Sequence, residues 1–138
     1  MTGLRAGTGD IPRPVPGPLS RPWWDGCAEG VLRFQRCEDC GAATHTPAML
    51  CASCASRRLT WTDSSGRGEI YSWTCVWRPV TPSMEVPYVP LIVTMEEGWW
   101  MLANLVGCAH DEVAIGLPVE VVFHRFDDGF VLPYFHLT

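Results

Sequence analysis

No lysine occurs in this sequence; all ten of its basic residues are arginine. A guanidinium is a planar fork suited to carboxylates and phosphates, where an ammonium is a point charge. The chain also lacks any apolar run near the roughly 18 to 20 residues that a bilayer-spanning helix needs. Its first residues, MTGLRAGTGD, hold no apolar stretch of the kind that drives secretion. Together these two absences predict a soluble, cytoplasmic protein without a membrane partner. An excess of positive charge is missing as well: the formal net charge is -5, which opposes general affinity for nucleic-acid phosphates.

Catalytic signatures are equally scarce. Gly66-Arg67-Gly68 is too short for a phosphate-binding loop and no helix is expected after it. Neither G-x-S-x-G nor H-E-x-x-H is present. The acidic pairs Glu96-Glu97 and Asp127-Asp128 sit beside hairpin glycines and read as solvated turns. His110, His124 and His136 fall in three separate segments. Cys27, Cys75 and Cys108 have no base and orienting group arranged around them, so they read as inert thiols and no catalytic residue is assigned. These features describe a binding or assembly module.

What the chain does contain is cysteine in a telling pattern. Four of its seven cysteines form Cys37-x2-Cys40 and Cys51-x2-Cys54, and in a reducing compartment paired C-x-x-C turns indicate metal rather than disulfides. Two such knuckles complete a tetrahedron of thiolates with no open position, hence a structural site. Spacing alone does not separate zinc from iron; one structural zinc per chain is the reading adopted. Gly41 supplies the small residue a knuckle turn prefers, whereas Ala55 follows the second knuckle. With four cysteines available, His45 is not needed as a ligand and is expected as a surface or hydrogen-bonding residue. Arg33, Arg36, Arg57, Arg58 and Arg67 make the surroundings of the knuckles locally basic.

The rest of the chain divides by texture. Residues 1–19, rich in Pro and Gly, read as a flexible arm. Ser20 and Pro22 signal a helix start in a segment spanning 20–34, with Trp24, Cys27, Ala28 and Val31 on one apolar face and Trp23 and Trp24 as anchors. Residues 35–62 form the metal module, entered from an extended stretch and left through a strand at Leu59 to Trp61. Residues 63–138 show five alternating runs: 68–77, 88–96, 99–106, 119–126 and 130–136. Glu97-Gly98 and Asp128-Gly129 are tight hairpins, and 110–117 has room for one helical turn. The predicted fold is mainly β: a short N-terminal helix, a metal ribbon and a C-terminal five-stranded barrel of OB type.

These pieces carry a family likeness. Phe34-Gln35-Arg36-Cys37-Glu38-Asp39-Cys40-Gly41, Cys51-Ala52-Ser53-Cys54 and Ser65-Gly66-Arg67-Gly68-Glu69-Ile70-Tyr71-Ser72-Trp73-Thr74 are followed by Val86-Pro87-Tyr88, 102–107, 115–121 and Leu132-Pro133-Tyr134-Phe135. Over residues 20–138 the chain resembles the proteins with a rubredoxin-like zinc ribbon and an OB-fold, long catalogued as a domain of unknown function, that accompany thiolase-like and other acyl-CoA enzymes. The resemblance implies a non-catalytic accessory subunit of a thiolase, acyltransferase or steroid side-chain aldolase, in a two-plus-two heterotetramer with a thiolase-fold enzyme. It assigns the four cysteines as zinc ligands and no catalytic residue. An acyl-CoA site supported by the subunit would draw on Arg57, Arg58 and Arg67 for the CoA phosphates. Two other functions fit the residues: an autonomous acyl-CoA-binding protein, and a single-stranded nucleic-acid-binding OB-fold using Trp73 and Trp77 on one strand face as a stacking platform.

Overall fold

The computed structural model describes residues 3–138 and places one helix, eight strands and one 3-10 turn in them. No described helix is long and apolar enough to cross a membrane. Helix α1 spans Arg21–Glu29, with Ser20 at the N-cap position and Pro22 in its first turn. Gly30 stops it in the left-handed region at φ 82°, a conformation glycine adopts without steric cost. The buried face is Trp23, Gly26 and Cys27, so the expected stripe of Trp24, Cys27, Ala28 and Val31 is turned by about one residue. Gly26 explains the rotation: a Cβ there would lie 2.6 Å from the Val31 carbonyl oxygen. Backbone packs where a side chain was expected, and Trp23 turns inward beside it.

The ribbon is a three-stranded antiparallel sheet in which β1 (Arg33–Cys37) lies between β2 (Ala43–Thr44) and β3 (Leu59–Asp63). The barrel follows as β4 (Arg67–Trp73), β5 (Val89–Met95), β6 (Trp100–Leu105), β7 (Pro118–Arg125) and β8 (Val131–Leu137). It closes in the order β4-β5-β6-β8-β7, with β7 returning to β4 and a single parallel pairing of Leu105 with Phe135. The 3-10 turn His110–Glu112 occupies the crossover before β7. All five expected barrel strands are present, and the mainly β class with its OB-type barrel holds. Strand β4 ends at Trp73 rather than Trp77, because Pro90 of β5 accepts from the Thr74 N–H (3.1 Å) but has no N–H to return, and only the isolated Val76–Tyr88 bridge forms beyond that gap.

The core runs unbroken from ribbon to barrel. Alternate residues Val89, Leu91, Val93 and Met95 of β5 point inward and are buried. Ile70, Met101, Leu105, Val119 and Phe135 join them, and Leu32 and Phe34 extend the cluster into the ribbon. Part of the segment expected as a flexible arm lies against this body. Leu4 is buried, donates its N–H to Cys108 (2.7 Å) and accepts from Gly107 (2.8 Å). The Gly7 N–H donates to the Tyr134 hydroxyl at 3.0 Å, and Arg13 pairs with Asp128 at 3.0 Å while lying over the Phe126 ring. The prolines withhold donors only at their own positions, so the amides of Leu4 and Gly7 remain available for docking.

Gly68 marks the tightest approach in the barrel. A Cβ at this position would stand 2.4 Å from the Thr94 carbonyl oxygen and 3.1 Å from Met95 Cα, and neither backbone atom can rotate away. Gly68→Ala is therefore expected to destabilise the chain by about 1–3 kcal/mol. Gly9→Ala, at a position with no atom within 4 Å, is expected to stay within about 0.5 kcal/mol. Chemical denaturation of the two variants beside the wild type checks both.

Candidate functional site

Two backbone knuckles bring the four thiols together. In the first, Gly41 donates to the Cys37 carbonyl (2.9 Å) and Cys37 donates to Ala42 (2.8 Å). The second repeats the pattern, with Ala55 donating to Cys51 (3.0 Å) and Cys51 to Ser56 (2.8 Å). Gly41 and Ala55 both take positive φ, 78° and 61°, so the second knuckle asks of an alanine what the first asks of a glycine. β1 delivers Cys37, which is buried with Cys51, while Cys40 and Cys54 are exposed.

The donor set fits a tetrahedral ion. All four sulfurs lie within 4.8 Å of one another, and Cys37–Cys54 and Cys40–Cys51 stand 3.6 Å apart. Four Zn–S bonds of about 2.3 Å would place sulfurs about 3.8 Å apart. The backbone amides of Cys54 and Ser53 hold the Cys51 thiol down at about 6. Cys54, despite the Ser56 amide, is pushed up to about 12 by the adjacent Cys37 thiol, so a bound metal would have to displace protons from part of the set. Cys37, Cys40, Cys51 and Cys54 would hold zinc as a closed, structural shell. Cys27 differs: burial pushes its thiol up to about 12, as expected of an inert core cysteine.

The three arginines assigned to CoA phosphates occupy different settings. Arg58 pairs with Asp39 at 2.7 Å and Glu38 at 3.2 Å, and Arg67 pairs with Glu96 at 3.4 Å. Arg57 is exposed and forms no ion pair among the described residues. Much of the local basic character is thus offset by carboxylates within the ribbon and the β5–β6 hairpin.

Aromatic residues join the ribbon to the barrel. Trp99 is buried at the tip of β5–β6; Phe34 stacks on it at 5.5 Å, Trp23 meets it edge-on at 6.1 Å and His45 lies 4.9 Å away. His45 also packs on Trp23 at 4.6 Å. It is half-buried rather than a surface residue, and burial lowers its pKa to about 4. Glu97, expected as part of a solvated turn, accepts from Ser64 Oγ (2.7 Å), the Ser65 N–H (2.7 Å) and Trp99 Nε1 (3.0 Å). Burial alone would raise this carboxyl, but those hydrogen bonds hold it below its ordinary value. The sequence signals for these roles were weak, since a histidine between knuckles and a glutamate before glycine both resemble solvated loop residues.

A second aromatic group faces solvent. On the outer side of β4–β6, Tyr71 stacks on Trp100 at 4.8 Å, and Trp73 and Leu102 are exposed beside them on the same strands. Trp77 lies outside the strand and meets His110 edge-on at 4.8 Å, so Trp73 and Trp77 do not form the expected platform along one strand. His110, His124 and His136 remain on separate elements.

Family models described as the ChsH2 rubredoxin-like zinc ribbon domain and the ChsH2 C-terminal OB-fold domain match residues 24–60 and 61–124. Among curated relatives, the 3-oxo-4,17-pregnadiene-20-carboxyl-CoA hydratase alpha subunit of Mycobacterium tuberculosis is 37% identical over 77% of this chain. This chain spans 34% of that subunit's length. A DUF35 domain-containing scaffold protein of Methanocaldococcus jannaschii is 34% identical, with 76% of each chain covered. A solved structure titled Ltp2-ChsH2(DUF35) aldolase contains a chain 32% identical, superposing with TM-score 0.82 over 91% of this chain and 98% of that one.

Two outcomes follow from the metal centre and the joint. Cys51→Ser is expected to reduce bound zinc from about one per chain to well below half and to unfold the ribbon; elemental analysis with limited proteolysis reads both. For His45, the folded pKa lies below the unfolded one, so the unfolded chain takes up the proton first as pH falls. Stability is full above about 6.5 and is lost towards about 4, by roughly 3 kcal/mol in total. The loss should be absent from His45→Phe, and urea titrations of both proteins between pH 7 and pH 4 measure the difference.

Proposed function

The chain belongs to the ChsH2 family of DUF35 proteins, a rubredoxin-like zinc ribbon followed by an OB-fold, and on that premise we propose that it is a non-catalytic accessory subunit of a thiolase-fold acyl-CoA enzyme. The observation that carries the reading is its likeness, along nearly its whole length, to a chain of the Ltp2-ChsH2(DUF35) aldolase structure. The scaffold description of an archaeal relative supports a structural role, and the hydratase subunit's name supports acyl-CoA metabolism with a steroid-derived acyl group. The closed four-thiolate shell supports bracing rather than Lewis-acid chemistry.

In this reading the segments 20–34 and 35–62 brace the barrel, residues 63–138 dock, and the partner is a thiolase-fold dimer in a two-plus-two heterotetramer. The docking face is the outer side of β4–β6, where Tyr71, Trp73, Trp100 and Leu102 leave an aromatic and aliphatic surface uncovered. Tyrosine and tryptophan of this kind concentrate in interface cores and supply most hot spots. Trp99 takes no part in docking, because it is the buried centre of the aromatic joint. Arg57, exposed and unpaired among the described residues, contributes first to the CoA phosphates. Arg58 and Arg67 contribute to the extent that their carboxylate partners release them.

Trp100→Ala is expected to weaken capture of a co-encoded thiolase-fold enzyme by about tenfold or more, with zinc content unchanged. Arg57→Glu should instead preserve the complex and raise its KM for the CoA ester. Pull-down and steady-state kinetics on the reconstituted pair separate the two effects. Wild-type protein that captures none of the co-encoded thiolase-fold enzymes would overturn the accessory-subunit reading.

A further inference from the structure

A cleft of about 370 Å³ opens where α1, the ribbon and strands β6 and β8 meet. It stands apart from the thiol cluster and from the arginines discussed above, none of which lines it. The aromatic wall is Trp23 and Trp24 of α1; Met101 and Ala103 of β6 and Pro133 of β8 form much of the remainder. Its volume lies in the range of small-molecule sites and equals about a dozen water volumes at roughly 30 Å³ each.

Two features define what the cleft can hold. No arginine, aspartate or glutamate contributes to its lining, although the chain carries ten basic and fifteen acidic residues. A phosphate, carboxylate or ammonium would therefore enter without a partner and lose its hydration uncompensated. The polar side chains that do line it, among them His45, Asn104 and Tyr134, are uncharged at neutral pH, His45 because burial between two indoles disfavours its cation. Asn104 and Tyr134 can each donate a hydrogen bond, and the Tyr134 oxygen already accepts from the Gly7 N–H, which leaves its hydroxyl hydrogen for another acceptor.

We infer that this cleft is a binding site for the uncharged, bulky body of an acyl group, a fused-ring or branched hydrocarbon bearing a ketone oxygen, held apart from the charged CoA end. Calling the occupant an acyl group rests on the function proposed above; the lining itself selects a neutral hydrocarbon body bearing a hydrogen-bonding oxygen, of which a ketone is the simplest case. Leu102 belongs both to the rim of the cleft and to the exposed outer face of β6. An acyl body seated here would thus lie at the edge of the docking surface, where it could pass to or from a partner subunit without crossing bulk water.

The test uses the full chain, with 2-decalone as a neutral ring-ketone probe and decahydro-2-naphthoate as its charged counterpart. Binding is followed by tryptophan fluorescence and by amide and imidazole shifts of Trp23, Trp24 and His45. The ketone is expected to saturate, and the carboxylate to bind at least tenfold more weakly. Ala103→Phe, which fills the cleft from β6, should weaken the ketone tenfold or more with zinc content retained. Should that variant fail to fold, Asn104→Ala supplies the check, with a several-fold loss. Absence of saturation, equal binding of the carboxylate, or ketone affinity unaffected by the variant that folds would each overturn the site. Partner capture measured on the same proteins separates the two claims. A complex that forms without ketone binding removes this site and spares the accessory role, whereas ketone binding by a chain that captures no partner does the reverse.

Discussion

The contact on which the rest of the architecture depends is the packing of Trp99 against Phe34, Trp23 and His45. Each ring comes from a different part of the chain: the β5–β6 hairpin, the ribbon's central strand, the helix and the connection between knuckles. Offset and edge-on arrangements of this kind add about 0.5–1.5 kcal/mol per pair beyond the area they bury. They matter here because a ribbon of this size buries too little apolar surface to hold a fixed orientation unaided. The metal closes the knuckles, and the aromatic joint carries that rigidity into the barrel. Glu97 completes the connection by accepting from the residues that lead into β4 and from the Trp99 indole.

Much of this could be read from the sequence because the controlling physics is local. Two C-x-x-C turns specify a metal shell through spacing alone, and Val89, Leu91, Val93 and Met95 specify a strand through their period of two. Ser20 and Pro22 likewise mark where α1 begins, although the Ser20 hydroxyl turns back to Gly17 and does not cap the helix. What escaped was decided by residues distant in sequence. The helix face turned because Gly26 admits the Val31 backbone; β4 stopped at Trp73 because Pro90, opposite Thr74, has no N–H to return. His45 and Glu97 look like solvated loop residues until the barrel supplies Trp99. The amides of Leu4 and Gly7 are anonymous within a Pro/Gly-rich segment until β8 presents Tyr134.

The site divides in the same way. The four cysteines were legible residue by residue, and their sulfurs converge within 4.8 Å of one another. The arginines were legible only as a local excess of charge, and the structure shows why that excess is a poor guide: carboxylates in the first knuckle turn and the β5–β6 turn engage Arg58 and Arg67. The exposed Tyr71–Trp100 pair could not be separated from core aromatics by composition. Trp99 and Trp100 are adjacent, yet the pleat sends one into the aromatic joint and the other to solvent. The proposed accessory role would draw on the exposed aromatic face, the cleft without charged lining and the four-thiol cluster together.

The central claim is that this chain acts through a partner. The most direct measurement is acyl-CoA turnover by a co-encoded thiolase-fold enzyme titrated with the zinc-loaded chain, beside the chain alone. The account predicts activity that rises with added chain and levels off at a one-to-one ratio, with no turnover by the chain itself. Turnover that tracks with the isolated chain through purification, or partner activity indifferent to its addition, would contradict it.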